Sequence, residues 1–87
     1  MYFVYVLHSL KTGCFYTGHT ADLEQRIGQH NRGISRSTRR GIPWELMHWE
    51  PFDSRAAAMQ REKELKSGKG REEIRRLLVN TQARSAG

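Results

Sequence analysis

Apolar and aromatic residues run together from Tyr2 to His8 (YFVYVLH) without strict polar alternation. That pattern predicts a strand buried on both faces. Ser9–Gly13 (SLKTG) reads as a turn and Cys14–Gly18 (CFYTG) as a second strand, giving an antiparallel hairpin. The period then becomes helical. Leu23 and Ile27 stand i, i+4 on a helix predicted over Ala21–Asn31, with Thr20 as its cap. Gly28 weakens this helix and Gly33 ends it. Arg32–Pro43 (RGISRSTRRGIP) is a loop, and Trp44–Glu50 a third strand. Asp53 or Ser54 caps a second helix that runs to Lys66, and Ser67–Gly70 (SGKG) breaks it. Glu72–Val79 reads as a short third helix, and the polar tail from Asn80 as frayed. The order β-β-α-β-α-α predicts an α+β fold: a small three-stranded, mainly antiparallel sheet flanked by helices. One domain is expected over 1–79, with a polar, flexible tail over 80–87.

Composition narrows the function classes. A chain of 87 residues with 37% apolar content builds a thin core, so a shallow surface site for a polymer suits it better than a large substrate cavity. Fifteen Lys and Arg stand against nine Asp and Glu, for a net charge of +6. This balance favours a polyanion as partner, nucleic acid before an acidic membrane surface; the plainer alternative is charge for solubility. Cys14 is the only cysteine, so neither an internal disulfide framework nor a cysteine-rich zinc site is available. There is no apolar run long enough for a transmembrane helix and no signal-peptide layout, and a cytoplasmic location is expected.

Polar residues interrupt both predicted apolar helix faces. His30 follows Leu23 by seven positions, and Arg26 lies three after Leu23 and four before His30. Both flank the apolar seam. A snorkelling arginine and a satisfied half-buried histidine would explain them without any chemistry. On the second helix, Ala58, Met59 and Leu65 are expected on one face, with Glu62 inside it. A carboxylate there needs a partner; a Glu62–Lys66 helix pair is the ordinary explanation, a metal ligand the sharper one. Tyr5 and Tyr16 lie on neighbouring strands. They read as packing residues unless Arg26 and Glu62 converge on their hydroxyls.

In this order the residues resemble the GIY-YIG nuclease superfamily, and most closely its short stand-alone bacterial members related to the N-terminal nuclease domain of the excision-repair endonuclease. The first family motif corresponds to Phe3-Val4-Tyr5 or Val4-Tyr5-Val6, without its glycine, and the second to Tyr16-Thr17-Gly18. Thr20–Arg26 followed by Gln29-His30-Asn31 matches the capped helix with its Arg and, four residues on, its His or Tyr. Ala58–Lys66 matches the helix carrying the metal-binding Glu, and Lys66–Arg71 is typical of the short members. The Asn that follows in many active members has no clear counterpart.

The resemblance implies a catalytic set of Tyr5, Tyr16, Arg26, His30 and Glu62. It implies one hard cation, Mg²⁺ or Mn²⁺, on Glu62, and no small-molecule cofactor. Arg26 would neutralise the scissile phosphate. Tyr16 or Tyr5 would be the general base, its phenolate favoured by the cation and Arg26, and His30 would relay a proton or bind phosphate. Five Arg and no acid fall between Arg26 and Gly41. Arg32, Arg36, Arg39 and Arg40 are thus expected to bind double-stranded or branched DNA, joined by Lys66, Lys69 and Arg71, with salt-dependent and weakly sequence-specific affinity. A role in DNA repair or recombination would follow. Two other readings compete: a nucleic-acid-binding module on the same fold with weak or no catalysis, and a protein-interaction domain whose charge is incidental.

Overall fold

A computed structural model describes residues 1–86, with side chains described through residue 77. Its order is β1 (Tyr2–Ser9), β2 (Phe15–Thr20), α1 (Leu23–Asn31), a 3-10 turn (Arg39–Gly41), β3 (Trp44–Phe52), α2 (Arg55–Leu65) and α3 (Gly68–Ala86). The sheet runs β2-β1-β3, antiparallel throughout. The fold is α+β, as the sequence pattern predicts.

The central place of β1 explains its unbroken apolar run. Alternate side chains leave opposite faces of a strand, and both faces here are covered. Val4 and Val6 pack with Ala58 of α2, and with Leu65 and Ile74. Tyr5 and Leu7 pack on the other face with Trp44, against Leu23 and Ile27 of α1. A bulge between Val6 and Leu7 shifts the register with β3. The helices therefore lie on both faces, α1 on one and α2 with α3 on the other.

Several boundaries differ from the sequence reading. Asp22, not Thr20, caps α1: its Oδ1 accepts the Gln25 amide at 3.1 Å. Thr20 ends β2, and its hydroxyl is held to Asp22 at 3.1 Å and 3.2 Å. Ser54 caps α2 by accepting the Ala57 amide at 3.2 Å. Met59 does not share the buried stripe of α2. Ala58 and Leu65, seven positions apart, are fully buried, while Met59 is 51% exposed, because one residue turns a helix by about 100° and this apolar stripe is narrow. The third helix begins at Gly68, not Glu72. Gly70 makes this possible, since a β-carbon there would run into the Glu64 and Leu65 carbonyls at the end of α2. The side chains of the tail expected from Asn80 lie outside the described residues, as does the whole of Gly87.

One polar cluster has no counterpart in the sequence reading. Arg61 of α2 donates to Glu50 of β3 from Nε at 2.9 Å and from Nη2 at 3.1 Å, and also reaches Glu73 of α3. His48 meets the same Glu50 at 2.7 Å. Burial alone would raise the Glu50 carboxyl, but hydrogen bonds from Arg61 and His48 outweigh it and hold the group below its usual range. The Glu50 and Glu73 bonds push Arg61 up in turn. This knot ties both helices of that face to the outer strand. Among the described residues, no helix is long and apolar enough to cross a membrane.

Candidate active site

The site is built around the close approach of Tyr5 and Gly18. The two are register partners across β1 and β2, so their α-carbons share one face of the sheet. A β-carbon on Gly18 would sit 2.6 Å from the Tyr5 hydroxyl oxygen and 3.2 Å from the Tyr16 ring. Glycine therefore lets the Tyr5 ring lie down over β2. Without that space the hydroxyl would be directed elsewhere.

The Tyr5 hydroxyl stands 2.9 Å from His30 Nε2, and His30 Nδ1 stands 2.7 Å from Thr38 Oγ1. All three residues are at most 1% exposed. Thr38 Oγ1 donates in turn to the Ser35 carbonyl over a long 3.4 Å. One direction satisfies every partner: Tyr5 donates to Nε2, Nδ1–H donates to Thr38, and Thr38 to Ser35. α1 brings His30 beneath the sheet, and the loop folds back to supply Thr38. Burial and the nearby Arg26 charge push His30 down to about 4, so the ring is neutral at physiological pH. Its complete burial keeps it from touching a phosphate directly.

Arg26, one turn before His30, is half-buried, and its Nη1 donates to Gln29 Oε1 at 3.0 Å. Its guanidinium lies close enough to the Tyr5 hydroxyl to favour the phenolate. Burial is the larger effect, and Tyr5 is pushed up to about 12. Tyr5 is thus a protonated phenol held between Arg26 and His30. Tyr16 stands beside it on β2, with ring centroids 6.3 Å from Tyr5 and 4.9 Å from His30. Unlike Tyr5, it is only half-buried.

Glu62 approaches from the other side of the sheet. On β2, Thr17 and His19 face α2, whereas Tyr16 and Gly18 face α1. Glu62 Oε1 meets His19 Nδ1 at 2.9 Å, and Oε2 accepts from Lys66 Nζ at 3.2 Å. The Glu62–Lys66 pair expected of a helix is therefore present, beside a histidine the sequence reading passed over. The carboxylate remains within electrostatic reach of Tyr5. The site thus straddles β2: Tyr5, Tyr16, Arg26 and His30 on one face, Glu62 and His19 on the other.

The donor set also bears on a metal. Among the described residues, no group of three or more His, Cys, Asp or Glu side chains is placed to hold an ion by itself. A lone half-buried carboxylate fits a hard cation that takes its other ligands from water and phosphate.

The expected DNA-binding cations fall into separate groups. Arg32 folds back onto the end of α1, donating from Nε to the Gly28 carbonyl at 3.3 Å, and Arg39 onto its own loop, donating from Nε to the Gly33 carbonyl at 3.1 Å. Arg36 and Arg40 are exposed on the same loop. Lys66 and Arg71 line a cleft beside β2, while Lys69 sits apart with Glu72 and Glu73. Strand alternation offered a signal for His19, since it places that residue on the face opposite Gly18. Thr38 had no such signal, because its role depends on the path of a loop.

The chain is similar to known proteins in sequence and in fold. The family model described as the GIY-YIG catalytic domain matches residues 1–75. A UPF0213 protein of Natronomonas pharaonis is 48% identical over 67 residues, which cover 76% of this chain and 78% of that protein. A UPF0213 protein of Halobacterium salinarum is 42% identical over 67 residues, 76% of this chain and 86% of its own. The solution NMR structure of a UPF0213 protein from Bacillus halodurans superposes with a TM-score of 0.53 at 34% identity, covering 88% of this chain and 85% of that one.

Proposed function

This chain belongs to the GIY-YIG family, and from that premise we propose that it is a divalent-metal-dependent DNA endonuclease of low sequence specificity. One observation carries the reading. Arg26 and the buried Tyr5 hydroxyl lie on one face of the edge strand β2, where Gly18 makes room for the phenol, and the Glu62 carboxylate meets His19 on the other face of that strand. A cation and a carboxylate on either side of one narrow strand suit a phosphodiester bound between them.

Each residue then has a role. Arg26 neutralises the scissile phosphate with its planar fork of donors. Tyr5 stays protonated, and its oxygen, backed by His30 and Thr38, holds the guanidinium in place. Tyr16, the more accessible of the two, is the general base: its phenolate takes the proton of the attacking water and becomes the neutral phenol. His30 serves as the neutral acceptor behind Tyr5. Glu62 would hold one Mg²⁺ or Mn²⁺ ion, which when bound supplies Lewis-acid relief of charge on the phosphate and the leaving oxygen. His19 and Lys66 orient that carboxylate. Arg36 and Arg40 reach outward from the loop to neighbouring phosphates, assisted by Arg32 and Arg39. Binding directed mainly at phosphates suits work on damaged or branched DNA in repair or recombination.

Nicking of supercoiled plasmid with Mg²⁺ or Mn²⁺, beside Glu62→Gln and Arg26→Ala, tests the proposal. The unaltered chain is expected to exceed either variant by on the order of 10²-fold. Equal rates for all three would remove the enzymatic reading. Salt-sensitive DNA binding that survived such a result would leave a binding module on the same fold.

A further inference from the structure

Beside β2, on the side of α3, lies a cleft of about 560 Å³, within the range of about 300–1,000 Å³ usual for small-ligand sites. Phe15 and Ile74 give it an apolar lining, Lys66, Arg71 and Arg75 line it with positive charge, and Tyr16 forms part of its wall. Among the described residues, no acidic side chain lines it. Of its three cations Lys66 pairs with Glu62 at 3.2 Å, whereas among the described residues Arg71 and Arg75 have no ion-pair partner. Phe15 is held in a fixed plane by stacking on His8, with ring centroids 5.2 Å apart.

From these features, and resting on the nuclease reading above, we propose that the cleft receives an unpaired nucleotide of the DNA strand adjoining the scissile bond. Its base would lie on Phe15 and Ile74, and its phosphates on Lys66, Arg71 and Arg75. The chemistry matches in each part. A flat aromatic body with an anionic backbone needs an apolar lining rimmed by cations. Tyr16 connects the two sites, since it borders the cleft and also touches the His30 cluster. A base within a duplex is stacked and paired, and entry between a strand and a helix requires its release. The preferred substrate is therefore a duplex with a single-stranded branch or overhang.

Two measurements on the full chain, both in chelator so that no cleavage intervenes, test this. In the first, a short oligothymidylate is titrated into ¹⁵N-labelled protein. Amide shifts at Phe15, Thr17, Arg71 and Arg75 are expected. Shifts confined to the Arg32–Arg40 loop overturn the proposal. In the second, a duplex with a single-stranded overhang is compared with its blunt counterpart by fluorescence anisotropy. A preference of about tenfold for the overhang is expected, and Arg75→Glu should abolish it. Arg55→Glu makes the same charge change at the start of α2 and should weaken both ligands alike while keeping the preference. Equal binding of both DNAs by the unaltered chain, or equal loss in both variants, overturns the assignment. The nicking assay reads the nuclease reaction separately. Failure of nicking with cleft shifts present sinks the enzyme and keeps the cleft, and the converse result sinks the cleft alone.

Discussion

Tyr5 and Gly18 sit opposite each other in the β1–β2 ladder, and the Tyr5 ring occupies the space a Gly18 side chain would need, 2.6 Å from its β-carbon position to the hydroxyl oxygen. The ring has little room to retreat, because its hydroxyl is anchored to buried His30. Gly18→Ala is therefore expected to cost about 1–3 kcal/mol of stability through overpacking. It should also cut nicking, since the phenol that holds Arg26 is displaced. Urea unfolding measures the first effect. A variant as stable and as active as the unaltered chain would show that Tyr5 does not depend on this space.

The two phenols should separate in their effects. Tyr5→Phe leaves the buried His30 Nε2 without its donor, a loss of about 1–3 kcal/mol, so both stability and cleavage fall. Tyr16→Phe removes a hydroxyl from a half-exposed ring and should leave stability within about 0.5 kcal/mol. Its nicking rate should drop by roughly 10²–10⁴-fold if Tyr16 is the general base. Full nicking by Tyr16→Phe would take the base role away from it.

His30 makes stability depend on pH. Its folded value, about 4, lies below the ordinary 6.5. Between these values the unfolded chain binds a proton that the folded one refuses, so the contribution is full above pH 6.5 and is lost as pH falls toward 4. The slope should approach 1.4 kcal/mol per pH unit, about the value for one proton. Chemical denaturation at pH 7, 6 and 5 checks this. His30→Gln, which does not titrate, should flatten that part of the profile; an unchanged slope would assign it to other groups.

Arg61 should matter to the fold and not to DNA. Removing it leaves Glu50, whose side chain is 25% exposed, with only His48 as a partner and frees Glu73, and Arg61→Ala is expected to cost about 1–3 kcal/mol. Because the folded Glu50 carboxyl lies below its usual range, the stabilisation it provides is present above the unfolded carboxylate value and disappears as pH falls through the folded one. Thermal melts at neutral and acidic pH should show the variant penalty shrinking in acid. A large loss of DNA affinity at unchanged stability would contradict the structural role.

Much was determined by the sequence itself. The unbroken apolar run of β1 requires cover on both faces, and the placement of Leu23 and Ile27 requires α1 to face the sheet. The cap at Ser54 is local chemistry, and the order of Tyr5, Tyr16, Arg26, His30 and Glu62 is enough to recognise the family. Tertiary structure decided the rest, because the deciding contacts join residues far apart in the chain. The Tyr5–His30–Thr38 chain depends on where a loop returns. The pairing of Glu62 with His19 depends on which face of β2 meets α2, and the Arg61–Glu50 knot on how α2 crosses β3. The balance at Tyr5 could not be read from spacing either. Arg26 pulls the phenol toward ionisation, but only the packed structure reveals that desolvation is the larger effect and keeps the proton on.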